Sequence, residues 1–180
     1  AIFHAQNATA DSLTRLLKNA PPDTHRVSLL TNLAWEINEI RTNEADARLQ
    51  EAIQLAQKLN FPQGEATAWN GLGVVEEIRG DLSKAEQHYR QALRLRRIAG
   101  VKKDIGASLN NLGVISEMQG RFDTALSFHR ENLAIQQELH DSVRMARALY
   151  NFAGAYQEQG IYEEALNNLL EARMILETHG

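Results

Sequence analysis

The stretch Trp69-Asn70-Gly71-Leu72-Gly73, with Gly80-Asp81 behind it, decides the fold, because the chain repeats it. Leu109-Asn110-Asn111-Leu112-Gly113 stands forty residues later, and Leu149-Tyr150-Asn151-Phe152-Ala153 forty later again. Gly80, Gly120 and Gly160 keep the same step, as do Ala85, Ala125 and Ala165. A fixed period of roughly 20–50 residues marks an array of small units, none of which can bury its apolar face alone. Such arrays present extended surfaces to other chains and seldom a pocket for chemistry.

One unit can be read as physics. Ala66, Ala68, Trp69, Leu72, Gly73 and Val75 fall on one face of a helix. Gly80 stops that helix, since glycine accepts the left-handed conformation just past a C-terminus. Asp81 and Ser83 offer oxygens to cap the next helix. The second helix turns Leu82, Ala85, Tyr89, Ala92, Leu93 and Leu95 inward and ends at Gly100. Gly73 and Ala85 leave room for a close crossing, filled by Trp69, Leu72 and Tyr89. A large side chain at either small residue would overpack it, at about 1–3 kcal/mol or more.

These motifs resemble the tetratricopeptide repeat. The family's W-x2-L-G start stands as Trp69-Asn70-Gly71-Leu72-Gly73, followed by Gly80-Asp81, Ala85, Tyr89 and Ala92. The third unit carries Leu109, Leu112-Gly113, Gly120, Phe122, Ala125, His129 and Leu133. The fourth carries Leu149, Phe152-Ala153, Tyr156, Gly160, Tyr162, Ala165 and Ala172. The first is degenerate, with Leu30, Asn32-Leu33-Ala34 and Ala52 but no glycine at its turn. The forty-residue period exceeds the family's usual ~34 residues, so each pair of helices must be longer. The resemblance implies an all-α, right-handed solenoid of antiparallel helix pairs.

Residues 1–24 are expected to form a loose start, a short helix from Asp11 to Asn19 and a break at Pro21-Pro22-Asp23. A single domain of four helix pairs follows, at 25–61, 62–101, 102–141 and 142–180. The expected helices run 25–41 and 44–60, 63–79 and 82–99, 102–119 and 122–140, 142–159 and 162–178. A terminal repeat normally needs a polar cap. The apolar face of Leu166, Leu169, Leu170 and Ile175 therefore calls for a neighbour, and a second copy of the chain is one candidate.

Composition narrows the function. The chain has 180 residues, 43% hydrophobic and 23% charged, which is ordinary for a folded domain. Its formal net charge of −4 argues against a nucleic-acid partner. The basic cluster Arg90, Arg94, Arg96, Arg97, Lys102 and Lys103 is diluted by Glu76, Glu77, Glu86 and Asp104 and reads as a solvated face. Without cysteine there is no disulfide, thiolate metal site or thiol nucleophile. No apolar run reaches the ~18–20 residues of a membrane span, so this segment does not insert directly.

His4, His25, His88, His129, His140 and His179 include no pair at helical metal-site spacing. Glu76-Glu77 and Glu163-Glu164 are sequential on helices and point apart. No catalytic constellation, cofactor or metal site is expected; the expected partner is a protein or peptide.

The resemblance also places a groove. In the family the first helix of each pair lines the concave face. By register that implies Asn32, Trp35, Asn70, Val74 and Glu77, then Asn110, Asn111, Val114 and Glu117, then Arg147, Tyr150 and Asn151. Asparagine recurs at one register, as Asn32, Asn111 and Asn151, although it is a mediocre helix former. Two readings stay open: an amide that grips a peptide backbone, or a hydrogen bond between neighbouring helices. Arg147 is the only cation at these positions, so a lysine-rich clamp for a terminal carboxylate is not implied. Trp35, Val74 and Val114 suggest an apolar strip on the partner, and Glu77 and Glu117 a basic residue beside it.

The long repeats, Asp11-Ser12-Leu13 through Leu17, and Asn32-Leu33-Ala34-Trp35 also resemble the N-terminal sensory arrays of bacterial histidine kinases. That resemblance implies a fragment lying outside the membrane. Ala1–Gln6, apolar and then polar, reads either as the remainder of a cleaved secretory signal, which would place the chain in the periplasm, or as a frayed start. The alternative is a free-standing cytoplasmic adaptor that oligomerises through its last repeat.

Overall fold

In a computed structural model the backbone is described for residues 2–179 and the side chains for residues 9–178. The expected signal remainder at Ala1–Gln6 falls outside the described side chains. The described residues form helices only: α1 (Ile2–Asn19), α2 (Thr24–Ile37), α3 (Thr42–Lys58), α4 (Pro62–Ile78), α5 (Leu82–Ala99), α6 (Lys102–Met118), α7 (Phe122–Glu138), α8 (Ser142–Glu158) and α9 (Tyr162–His179). They fall into two compact units, Ala1–Ala99 and Gly100–Gly180.

Turn chemistry sets the period. A residue with positive φ returns every twenty positions: Asn60 (50°), Gly80 (79°), Gly100 (71°), Gly120 (71°), His140 (52°) and Gly160 (75°). At Gly80 the stop is closed by backbone bonds from Gly80 N–H to the Glu77 carbonyl (3.0 Å) and from Asp81 N–H to the Glu76 carbonyl (2.9 Å). Gly120-Arg121, His140-Asp141 and Gly160-Ile161 repeat that pair of bonds. Asn60 and His140 show that the stop does not require glycine, since both residue types tolerate the left-handed region better than most. Two of the following helices start on carboxylate caps: Asp81 Oδ1 accepts from Lys84 N–H and Asp141 Oδ1 from Arg144 N–H, both at 3.0 Å. The backbone donors at its Oδ atoms, with Lys84 beside them, hold the Asp81 carboxyl below its ordinary pKa.

Two expectations need correction. The first helix does not begin at Asp11; α1 already runs from Ile2, because Ala5, Gln6, Ala8 and Ala10 contain nothing to break it. The next helix ends at Ile37 rather than 41. Ile40 and Arg41 both return their N–H to the Ile37 carbonyl, making a tight turn without a left-handed residue.

In the first unit, α2, α3 and α4 share one apolar core. Leu30, Leu33, Ala34 and Ile37 meet Ala45, Leu49, Ala52 and Ala56, with Ala68, Leu72 and Val75 closing it from α4. Ala10 and Leu17 of α1 complete it. In the second unit, one apolar cluster joins Leu126 to Phe152 and Ala155, and another joins Ala146 and Leu149 to Ala172. On α9, Leu166, Leu169 and Leu170 are exposed as expected, together with Tyr162 and Met174. Ile175 departs from that face and packs inward against Ala146, Leu149 and Ala172.

The hairpin crossings explain the repeated glycine. A Cβ on Gly73 would overlap the Tyr89 ring, and one on Gly113 the His129 ring. Where alanine replaces that glycine, at Ala34 and Ala153, the residue at the ring register is Leu49 or Leu169. At Ala34 and Leu49, both buried, size removed from one helix is returned by the other and the crossing stays filled, whereas Leu169 on the last helix is partly exposed.

Candidate functional site

The predicted site residues lie on the first helix of each pair, and they separate by role. In the first unit, Asn32 is exposed on α2, and Trp35 is 44% exposed over a shallow apolar cleft formed with Ala34, Leu49, Gly71 and Val75. Asn70 is buried within α4, and Val74 is half-buried. Glu77 is turned toward its own hairpin, where its Oε2 accepts a 2.8 Å hydrogen bond from the Tyr89 hydroxyl. Burial and the neighbouring Glu77 carboxylate both push the Tyr89 hydroxyl pKa up, so it stays a donor.

The second unit repeats that pairing. Glu117 Oε1 lies 2.7 Å from His129 Nε2, at the same register as Glu77 and Tyr89. The carboxylate can only accept, so Nε2 carries the proton toward it, and Nδ1 is left buried without a partner. The two glutamates read in sequence as charge partners for a ligand are therefore engaged inside their own hairpins.

The asparagines are not equivalent. Asn151 Nδ2 donates to Asn110 Oδ1 at 2.7 Å and ties α8 to α6, which is the helix-to-helix alternative left open by the sequence. Val114 is half-buried, while Tyr150 and Arg147 are exposed. Asn110, Asn111 and Arg147 converge on a polar cleft of about 200 Å³. The cleft is closed below by Gly106, Asn132 and Gln136 and flanked by Arg144. Arg144 is held from behind by Asp141, whose Oδ2 lies 3.2 Å from its Nε.

Sequence reasoning identified three members of this cleft and missed Gly106, Asn132, Gln136 and Arg144. A signal was available: at the register of Ala52, Ala92 and Ala172 the third pair carries Asn132.

Elsewhere in the first unit, Arg79 bridges the end of α4 to Asp46 of α3 and pairs with Glu76 of α4 itself, both at 2.7 Å, and these carboxylates raise its pKa. His88 stacks on Trp69 with ring centroids 5.2 Å apart, and burial lowers its pKa. Among the described residues no group of His, Asp and Glu is arranged to hold a metal ion. Among the described residues no helix is long and apolar enough to cross a membrane.

Stacked helix pairs with faces of this kind define an all-α repeat scaffold. The tetratricopeptide repeat family model matches residues 41–98 and 104–178, and the chain belongs to that family. The fold is shared with BtubC from P. vanneervenii at 23% identity, over 93% of this chain and 70% of that one, with a TM-score of 0.78. It is also shared with a putative kinesin light chain of nearly identical TPR-like repeats from Podospora anserina, at 17% identity and a TM-score of 0.76, over 94% and 86% of the two chains. A Rap protein complexed with Competence and Sporulation Factor matches at 15% identity and a TM-score of 0.72, over 98% of this chain and 59% of that one. A search of curated proteins finds no match. Proteins with this repeat fold are generally scaffolds for protein–protein interaction rather than catalysts.

Proposed function

We propose that this chain is a non-catalytic scaffold that holds a segment of a partner protein against the first helices of its repeats. The observation that carries this reading is the polar cleft of the second unit, where half-buried Asn110 and Asn111 meet exposed Arg147. Trp35 offers a separate apolar contact in the first unit, with Asn32 beside it. Asn70, Val74, Glu77, Val114 and Glu117 stand on the same first helices without lining either cleft, and Asn151 joins α8 to Asn110 beside exposed Tyr150. The Rap protein in complex with its factor supports the class of partner.

The test is selection of displayed twelve-residue segments on the purified chain, followed by calorimetric titration of the enriched ones. A single segment in such a groove is expected to bind with Kd of about micromolar order and to raise Tm as its concentration rises. Arg147→Ala and Asn111→Ala should each weaken it about tenfold, the loss of one charge-assisted contact, without changing Tm in the absence of the segment. Enrichment of no segment, or equal binding to both variants, sinks the reading.

A second reading, self-association through the last helix, is favoured by the exposed apolar row of Tyr162, Leu166, Leu170 and Met174 on α9. Sedimentation equilibrium of the parent and of a Leu166→Asp, Leu170→Asp variant tests it. The parent must show a dimer that the variant loses, and a parent that stays monomeric at high concentration excludes it.

A further inference from the structure

We infer that the α6–α7 hairpin contains a seat for one acidic side chain of the bound segment, made by three concerted departures from the repeat. The inference rests on the scaffold reading above and gives its cleft a chemistry. The departures are visible in the array's own register. Where Asn132 stands, the other three pairs carry Ala52, Ala92 and Ala172. Where Gln136 stands, the other pairs carry Ala56, Arg96 and Leu176, none of them a carboxamide. Where Gly106 stands, the second and fourth pairs carry Ala66 and Ala146.

The three changes depend on one another. A Cβ on Gly106 would overlap the Gln136 amide and come within 2.9 Å of Asn132 Oδ1. Removing that methyl group is what admits the two carboxamides. Inside, Gln136 is 1% exposed, its Nε2 donates to Asn132 Oδ1 at 2.8 Å, and its Oε1 has no partner. A buried polar atom without a partner is unfavourable, and alanine at the same register packs without one. The hairpin therefore carries a polar end group that its own fold leaves unanswered.

That end group lines the cleft, together with the Arg144 and Arg147 guanidiniums, and no carboxylate lies among the lining residues. At about 200 Å³ the space suits a side chain and not a cofactor. With both carboxamides turned end for end, Asn132 Nδ2 donates to Gln136 Oε1, and Gln136 Nε2 takes the place of the oxygen without a partner and can donate to an entering oxygen. Two guanidiniums above and an amide donor below match the planar acceptor set of a carboxylate. The charge sense is opposite to the one read from Glu77 and Glu117, which their own hairpins have already paired.

The side-chain amide signals of Gln136 and Asn132 in a nitrogen-15 spectrum of the full chain provide the test. The probes are N-acetyl-glutamate N-methylamide, its neutral glutamine counterpart and inorganic phosphate. The glutamate probe should shift both amides saturably at about millimolar Kd, as expected for one residue. The glutamine probe should be at least tenfold weaker, and phosphate should not saturate. A triple variant, Gly106→Ala with Asn132→Ala and Gln136→Ala, restores the alanines used elsewhere in the array. It should keep or raise Tm, and Arg144 and Arg147 backbone signals should no longer respond to glutamate.

Equal response to glutamate and glutamine, saturation by phosphate, or a triple variant that still responds each overturns the seat. So does a parent silent to glutamate. A displayed segment that binds the parent and the triple variant alike overturns the seat while leaving the scaffold standing. Saturable glutamate binding with no segment ever enriched supports the seat and removes the scaffold reading instead.

Discussion

In the core of α2–α4 the positions between paired helices hold Leu49, Ala52, Ala56 and Ala68; in α6–α7 the same register holds His129, Asn132, Gln136 and Ser108. All eight side chains are buried. The first set makes one continuous apolar cluster. The second is polar, and two of its atoms, His129 Nδ1 and Gln136 Oε1, are left without partners. Both are antiparallel helix hairpins, although α2 is shorter than α6 and its turn has no left-handed residue. Burying alanine requires nothing of its surroundings, whereas burying a carboxamide or imidazole is favourable only when each polar atom is answered. The contrast teaches that in a repeat array, function is best sought where one unit departs from its siblings and does not pack as well for doing so.

The contrast can be broken most strongly at a crossing. Gly73→Ala drives a methyl group into the Tyr89 ring and should lower stability by about 1–3 kcal/mol, read from the urea midpoint. Adding Tyr89→Leu copies the Ala34 and Leu49 combination and should recover part of the loss. If the double variant is no better than the single one, the size exchange between the two helices is wrong.

A smaller effect of opposite sign is expected from His129→Tyr, which copies the Tyr89 and Glu77 pair into the third hairpin. It removes a buried atom without a partner and should stabilise by about 1 kcal/mol. Destabilisation would show that His129 is tuned to its site in a way the Tyr89 hairpin does not share.

The smallest effect concerns His88 beside Trp69. Burial lowers its pKa below the ordinary 6.5, against the weaker upward pull of Glu76 and Asp46. The unfolded chain therefore takes up this proton more readily than the folded one. The resulting stabilisation is complete above pH 6.5 and declines as pH falls below it toward the folded pKa. Imidazole proton shifts should titrate below 6.5 in the folded chain, and His88→Gln should flatten the acid side of the stability profile. A midpoint at or above 6.5 contradicts the burial argument.

Much of the architecture was legible because its signals are local. Gly80, Gly120 and Gly160 mark their stops, and the apolar spacing from Ala66 to Val75 gives the helix and its inward face without knowledge of any other segment. Where local signals were weak, the reading slipped. Nothing between Ile2 and Asp11 marks a start, and the turn after Ile37 has no glycine to mark it.

The candidate site was legible only in part, because register says which helix a residue belongs to but not what it meets. Glu77 and Glu117 were placed on the right helices, yet their partners Tyr89 and His129 come from the next helix and turn them inward. Asn151 was singled out correctly as unusual, but its bond to Asn110 depends on how α8 rests on α6.

The sequence by itself determined an all-α repeat of paired helices with a forty-residue period, since periodicity and turn residues act within a few positions of themselves. Only the tertiary structure decided that Gly106, Asn132 and Gln136 share one space with Arg144 and Arg147 at its mouth. Helices carry their side chains at fixed angles, so which polar groups meet depends on the rotation and spacing of whole helices. Those are set by the sum of apolar contacts along their length and not by any one motif.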